Sequence, residues 1–292
     1  MNIQEASRRR SERVWMGVVA VASGLVFTVL GLLVAVLVMG AIGFAAQHGL
    51  VRTLLGARWQ PLAGRLQIGL FIVDSALVTA LAMLLALPFG IAVAIFGSLV
   101  AGAWERTVLR WILTLASAVP SVAYGWWGLA VVVPGIRGLG LGAGYGLVSA
   151  GLVLALMILP TFSVLAWEAI LAVPEDWHQT SLALGANDDQ NIIRLVLPAS
   201  MAGLQTAFLT ALARAVGETM AVQMVLGGAV SHFYGLFGPG ATLTTQILTD
   251  MAVLPVGSPN HGVLDFMALV LFLGVTLMTG TMGRQVRGRG RP

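Results

Sequence analysis

Apolar residues fall into six long runs separated by short polar segments, at about Val14–Phe44, Leu70–Val100, Val108–Pro134, Tyr145–Val173, Ala199–Val230 and Val263–Met282. Each reaches the ~20 residues that a helix needs to cross the hydrocarbon core of a bilayer. The pattern therefore predicts an all-α, polytopic membrane protein with six transmembrane helices. The fifth run organises the rest. Read as one helix, its stretch Leu204 to Gly228 places Arg214 and Glu218 one turn apart on a single face. Gly203, Ala207, Thr210, Gly217, Ala221 and Gly228 share that face, with Val225 as its one bulky member. An ionisable side chain at mid-membrane costs roughly 2.5–3.5 kcal/mol on insertion scales, so this face avoids lipid. It suits close helix packing or the wall of a polar pathway.

The other runs carry fewer polar interruptions. In the second, Asp74, Ser75 and Thr79 stand near the outer end, where solvation accounts for the aspartate, and Pro88-Phe89-Gly90 predicts a kink. Pro120, Ser121, Tyr124 and Gly125 interrupt the third, either as a discontinuous span that places polar groups at mid-membrane or as a plain proline kink with buried tryptophans. The fourth holds Pro160, and Glu168 near its inner end. Between the first two runs, Trp59 suits a membrane interface and Pro61 stops any helix. The glycine-rich link 135–144 reads as a flexible turn. In the last outer loop, 231–262, a helix is expected from Thr244 to Met251.

The loop after the fourth run is the most informative soluble piece. Pro174, Glu175 and Asp176 suit a helix start, Gly185 its end, and Asn187 with Gln190 a capping box for a second helix, Asp188–Val196, stopped near Pro198. The result is a compact two-helix knob or an ordinary amphipathic loop.

Mean hydropathy of +0.92 and only 10% charged residues, against about 25% in ordinary domains, exclude a soluble globular fold. All 16 basic residues are arginine. With the N-terminus inside, inner segments hold 11 of them (8, 9, 10, 13, 106, 110, 194, 284, 287, 289, 291) and outer segments four (52, 58, 65, 137). Both termini are thus expected in the cytoplasm, and the basic tails to meet lipid rather than nucleic acid. The first run is longer than the hydrophobic part of a signal peptide and reads as a retained anchor. Without cysteine there is no thiolate site, without lysine no Walker A loop, and the four histidines are not spaced as metal ligands.

Around the knob, LALGA (182–186), then nine residues from Gly185 to LVLP (195–198), resembles the cytoplasmic signature of ABC importer permeases, although Gln179-Thr180-Ser181 replaces its Glu-Ala-Ala. RAVGETMAV (214–222), VPSVAYGWWGLAVVVP (119–134), PGATLTT (239–245) and LPFGIAVAIF (87–96) are similar to segments of PstC-type phosphate permeases. The resemblance implies a type I ABC importer subunit of the bacterial inner membrane that catalyses no chemistry and binds no cofactor. It implies ATP use by two copies of an ATPase subunit, a PstA-type permease as second half of the pathway, and a periplasmic or lipid-anchored phosphate-binding protein. The expected pathway residues are Arg214, Glu218, Thr210, Ser121 and Tyr124. The expected ATPase-coupling residues are Glu175, Gln179, Leu184, Gly185, Ala186, Leu197 and Pro198. The implied organisation is a cytoplasmic tail (1–13), a first transmembrane helix with outer loop (14–67), a permease core (68–283) with coupling loop 174–198, and a basic tail (284–292). A gradient-driven anion carrier using Arg214 and Glu218 as a relay, and a non-transporting membrane sensor or scaffold, are the alternatives.

Overall fold

A computed structural model describes residues 3–258 and 260–289. Helix α1 runs Ile3–His48 and is followed by a short α2, Leu50–Leu55. A two-stranded hairpin, β1 (Trp59–Gln60) and β2 (Arg65–Leu66), turns at Pro61–Ala63. Then come α3 (Gly69–Ile95), ending in a π-turn at Phe96–Val100, α4 (Ala103–Ala118), α5 (Ser121–Trp127) and α6 (Val133–Gly138). The second half contains α7 (Leu147–Leu171), α8 (Glu175–Ala183), α9 (Asp188–Asn191), α10 (Leu197–Gly217), α11 (Met220–Leu226), α12 (Leu243–Asp250) and α13 (Gly262–Arg289). Five helices are long and apolar enough to cross a membrane, and a sixth span forms if α4 and α5–α6 count as one.

The core is built around α7. Small residues along it, among them Ala150, Gly151, Ala155, Ser163 and Ala166, are buried and let α3 and α10 approach closely, while α4 and α11 complete the surround. Gly90 of α3 faces the Phe162 ring, where any side chain would collide with it. Helix α3 continues without a break through Pro88, and Gly90 serves packing. A second apolar cluster at the opposite edge joins Phe44 of α1, Trp59, Phe71, Leu243 and Val263. Away from that cluster α1 stands clear of the core, packed on α13.

Several expectations change. Helix α1 already includes Ile3–Arg13 of the tail. Trp59 is not presented at the protein surface; it is buried and meets Phe71 edge to face at 5.1 Å. The link 135–144 is ordered, with Arg137 Nε donating to the Ala143 carbonyl at 2.9 Å. The second helix of the inner loop does not stop at Pro198. It passes through a π-turn at Ile192–Val196 into α10, where Pro198 occupies the first turn and needs no intrahelical N–H. The third run breaks as expected, but by 94°, so α5 leaves nearly at a right angle.

Candidate functional site

The fifth run is not one helix. After Gly217 the chain turns extended at Glu218 (φ −72°, ψ 129°) and resumes as α11 at Met220. Gly217 disfavours helix by about 1 kcal/mol relative to alanine. The break also gives each charge a better place. Arg214 lies in the last turn of α10, at the negative end of that helix. The Glu218 carboxylate accepts the Ala221 N–H at 3.1 Å, at the positive start of α11. The expected shared face and the Arg214–Glu218 pair are therefore corrected: among the described residues no ion pair joins them. The break frees the Glu218 carbonyl, and the Thr244 hydroxyl donates to it at 3.0 Å from α12.

Arg214 is half-buried. Its Nη1 donates to Thr161 Oγ1 at 2.5 Å, and Tyr124 is close enough for the guanidinium to act on its hydroxyl electrostatically. Tyr124 itself donates to the Ala116 carbonyl at 2.8 Å, across the α4–α5 bend. The structure thus gathers Arg214, Thr161 and Tyr124 from α10, α7 and α5. Thr210 lies one turn before Arg214, exposed, with its hydroxyl returned to the Thr206 carbonyl at 2.9 Å. Ser121 opens α5, half-buried and one turn from Tyr124. Thr161 was missed in the sequence; its signal was a hydroxyl directly after Pro160 in a largely apolar run.

At the other end of α10, the two-helix alternative is the one that forms. Pro174 precedes α8, Glu175 and Asp176 fill its first turn, and Gly185 (φ +89°) follows its end. The capping box is present: Asn187 Oδ1 accepts the Gln190 N–H at 2.8 Å. Helix α8 buries none of its residues, and Leu184 is 84% exposed at the tip. Gln179 is exposed, and Ala186 lines a cavity of about 470 Å³ with Trp177, Thr180 and Arg194. What holds α8 against α9 is His178, whose ring meets the Asn191 amide at 2.5 Å; Asn191 is fully buried. Leu197 and Pro198 lie where the knob joins α10.

Residues 86–288 match the family of binding-protein-dependent transport system inner membrane components. The chain belongs to that family. This permease is 37% identical over 226 residues to a probable ABC transporter permease protein, YqgH of Bacillus subtilis, covering 76% of this chain and 73% of that one. It is 34% identical over 195 residues to the phosphate transport system permease protein PstC of Xylella fastidiosa (60% of each chain). With PstC of Haemophilus influenzae it shares 27% over 274 residues (87% and 86%). Among solved structures, the MetNI methionine ABC transporter in inward-facing conformations matches its fold with a TM-score of 0.58 at 22% identity, over 77% of this chain and 94% of that one. The permease is a multi-pass inner-membrane protein with the type I importer fold.

The permease also has an outer clamp that its sequence concealed. Asp74 was expected at a solvated interface; it is 1% exposed, and its Oδ2 accepts the Ala241 N–H at 3.1 Å. Next to it, Ser75 Oγ accepts the Leu243 N–H at 2.9 Å. These bonds fix the PGATLTT segment, and hence Thr244, against α3. Helix α12 ends at Asp250, one residue short of the expected Met251. Gln246 donates to the Asp250 carboxylate at 2.6 Å, and both are buried beside the hairpin residue Trp59 along a cavity of about 690 Å³.

Proposed function

We propose that this chain is the PstC-type permease subunit of an ATP-driven phosphate importer and forms half of its translocation pathway. Two copies of a separate ATPase would engage the α8–α9 knob, so this chain would perform no hydrolysis itself. A PstA-type permease would supply the other half of the pathway, and a periplasmic or lipid-anchored phosphate-binding protein the cargo. The relatives named PstC support the cargo assignment.

The observation that carries the reading is the state of Arg214. Its guanidinium uses one N–H on a neutral hydroxyl, and the carboxylate that could neutralise it is occupied at the start of α11. A permanently charged planar group with unused donors matches the paired oxygens of a phosphate. Thr161 holds the arginine without discharging it. Glu218, bonded at the start of α11, does not compete with cargo for the guanidinium, and weak binding follows from single-arginine contact.

The test is uptake into proteoliposomes holding the full complex. Arg214→Gln should lower phosphate uptake by about 10-fold or more, the worth of one charge-assisted hydrogen bond, with the complex still assembled. Unchanged uptake by an assembled variant would remove Arg214 from the pathway. Uptake by this chain without an ATPase would instead establish a gradient-driven carrier.

A further inference from the structure

Outside the matched family region, the end of α1 opposite the N-terminus, α2 and the hairpin enclose a polar pocket of about 180 Å³. Its walls include His48, Arg52, Thr53, Arg65 and Gln67. Residues 14–73 contain no Asp or Glu, so nothing local offsets the arginines. Among the described residues neither the Arg52 nor the Arg65 guanidinium has an ion-pair or hydrogen-bond partner, and both residues are exposed. Of the remaining polar groups, Gln67 is set as a donor, whereas His48, with its proton on Nδ1, presents Nε2 as an acceptor. Gln67 Oε1 accepts the Arg58 N–H at 2.9 Å, which orients the amide and leaves its NH2 group unused. His48 Nδ1 donates to the Phe44 carbonyl at 3.3 Å and its ring stacks on Phe44 at 4.4 Å, so the imidazole is fixed with Nε2 free. Thr53, 2% exposed, is bonded to the Gly49 carbonyl and forms a settled floor.

We propose that this pocket binds a phosphate-bearing anion between Arg52 and Arg65. Two unpartnered guanidinium groups at the rim of a small polar cavity are a cationic, planar-donor site, and phosphate oxygens accept from it in pairs. The pocket lies where the apolar surface of α1 ends, which is headgroup level for a bilayer around that helix. A phospholipid headgroup and free inorganic phosphate carry the same chemistry, and they part in the test. The site stands independently of the transport reading, since it needs neither the ATPase nor Arg214.

The full chain would be placed in nanodiscs of phosphatidylcholine with or without phosphatidylglycerol. Retained lipid is read by native mass spectrometry, and the melting midpoint is read against added inorganic phosphate. Preferential retention of phosphatidylglycerol, reduced about tenfold or more in R52Q/R65Q, identifies a headgroup site. A phosphate-dependent rise in midpoint in pure phosphatidylcholine discs, absent from the variant, identifies a free-ion site. The charge-conserving R52K/R65K variant should keep part of either response, which separates loss of binding from loss of fold. No preference for phosphatidylglycerol together with no response to phosphate, or equal responses in wild type and R52Q/R65Q, would overturn the proposal.

Discussion

Asp74 offers the sharpest test of how the outer loop is held. Its carboxylate is buried, one oxygen accepts the Ala241 N–H, and the other, Oδ1, has no partner. Asp74→Ala would leave a buried N–H unsatisfied, at a cost of about 1–3 kcal/mol. Asp74→Asn keeps an acceptor of the same shape while removing a buried charge, so it should be far less costly. At about 2–4 °C per kcal/mol for a chain of this size, the alanine variant should melt roughly 2–12 °C below the asparagine variant. The eight tryptophans make intrinsic fluorescence in detergent, at one fixed scan rate, a direct readout. A double-mutant cycle adds a check: a Cβ on Gly240 would collide with Asp74 Oδ2. Gly240→Ala should therefore cost more in wild type than in the Asp74→Ala background. Equal melting of the alanine and asparagine variants would refute the hydrogen-bond argument.

Two further outcomes follow from the same region. Thr244→Val should leave the Glu218 carbonyl without its donor and destabilise the chain by about 1–3 kcal/mol; Thr244→Ser should restore the melting midpoint, and failure of serine to do so would separate the effect from the hydroxyl. Asp250 supplies a pH dependence. Burial pushes its carboxyl above the ordinary range, against the opposing Gln246 and Trp59 contacts. A raised folded value means that folding favours the protonated form, so this contribution is present below the unfolded value near 4 and is lost as pH rises through the folded value. Asp250→Asn should accordingly melt above wild type at neutral pH, with the gain shrinking towards pH 4. A gain that persists unchanged at pH 4 would contradict the assignment.

What could be read from the sequence were features whose cause lies within a few residues. Apolar run length placed the spans, Pro120 marked the sharp bend, and Asn187 with Gln190 specified a cap that forms as a local hydrogen-bonded box. What could not be read were side chains whose partner lies far along the chain. Asp74 looked solvated because Ala241, 167 residues away, is invisible to local reasoning. Thr161 looked incidental until α7 set it against Arg214, 53 residues on. Trp59 looked interfacial until Phe71 and α12 covered it.

The Arg214–Glu218 stretch failed for a different reason, and that failure bears on mechanism. Spacing of four implies a pair only if the helix continues, and here two costs compete. A continuous helix would set both charges on one wall at membrane depth and require them to neutralise each other. A break at Gly217 exposes backbone groups, but Thr244 takes the Glu218 carbonyl and the two new helix ends take the charges separately. The broken arrangement satisfies the carboxylate within its own backbone and leaves the guanidinium available. The loop that makes this possible is itself held by Asp74 and Ser75 on α3. Thr244 thus ties the outer loop to the α10–α11 break, four residues beyond the arginine proposed to meet cargo.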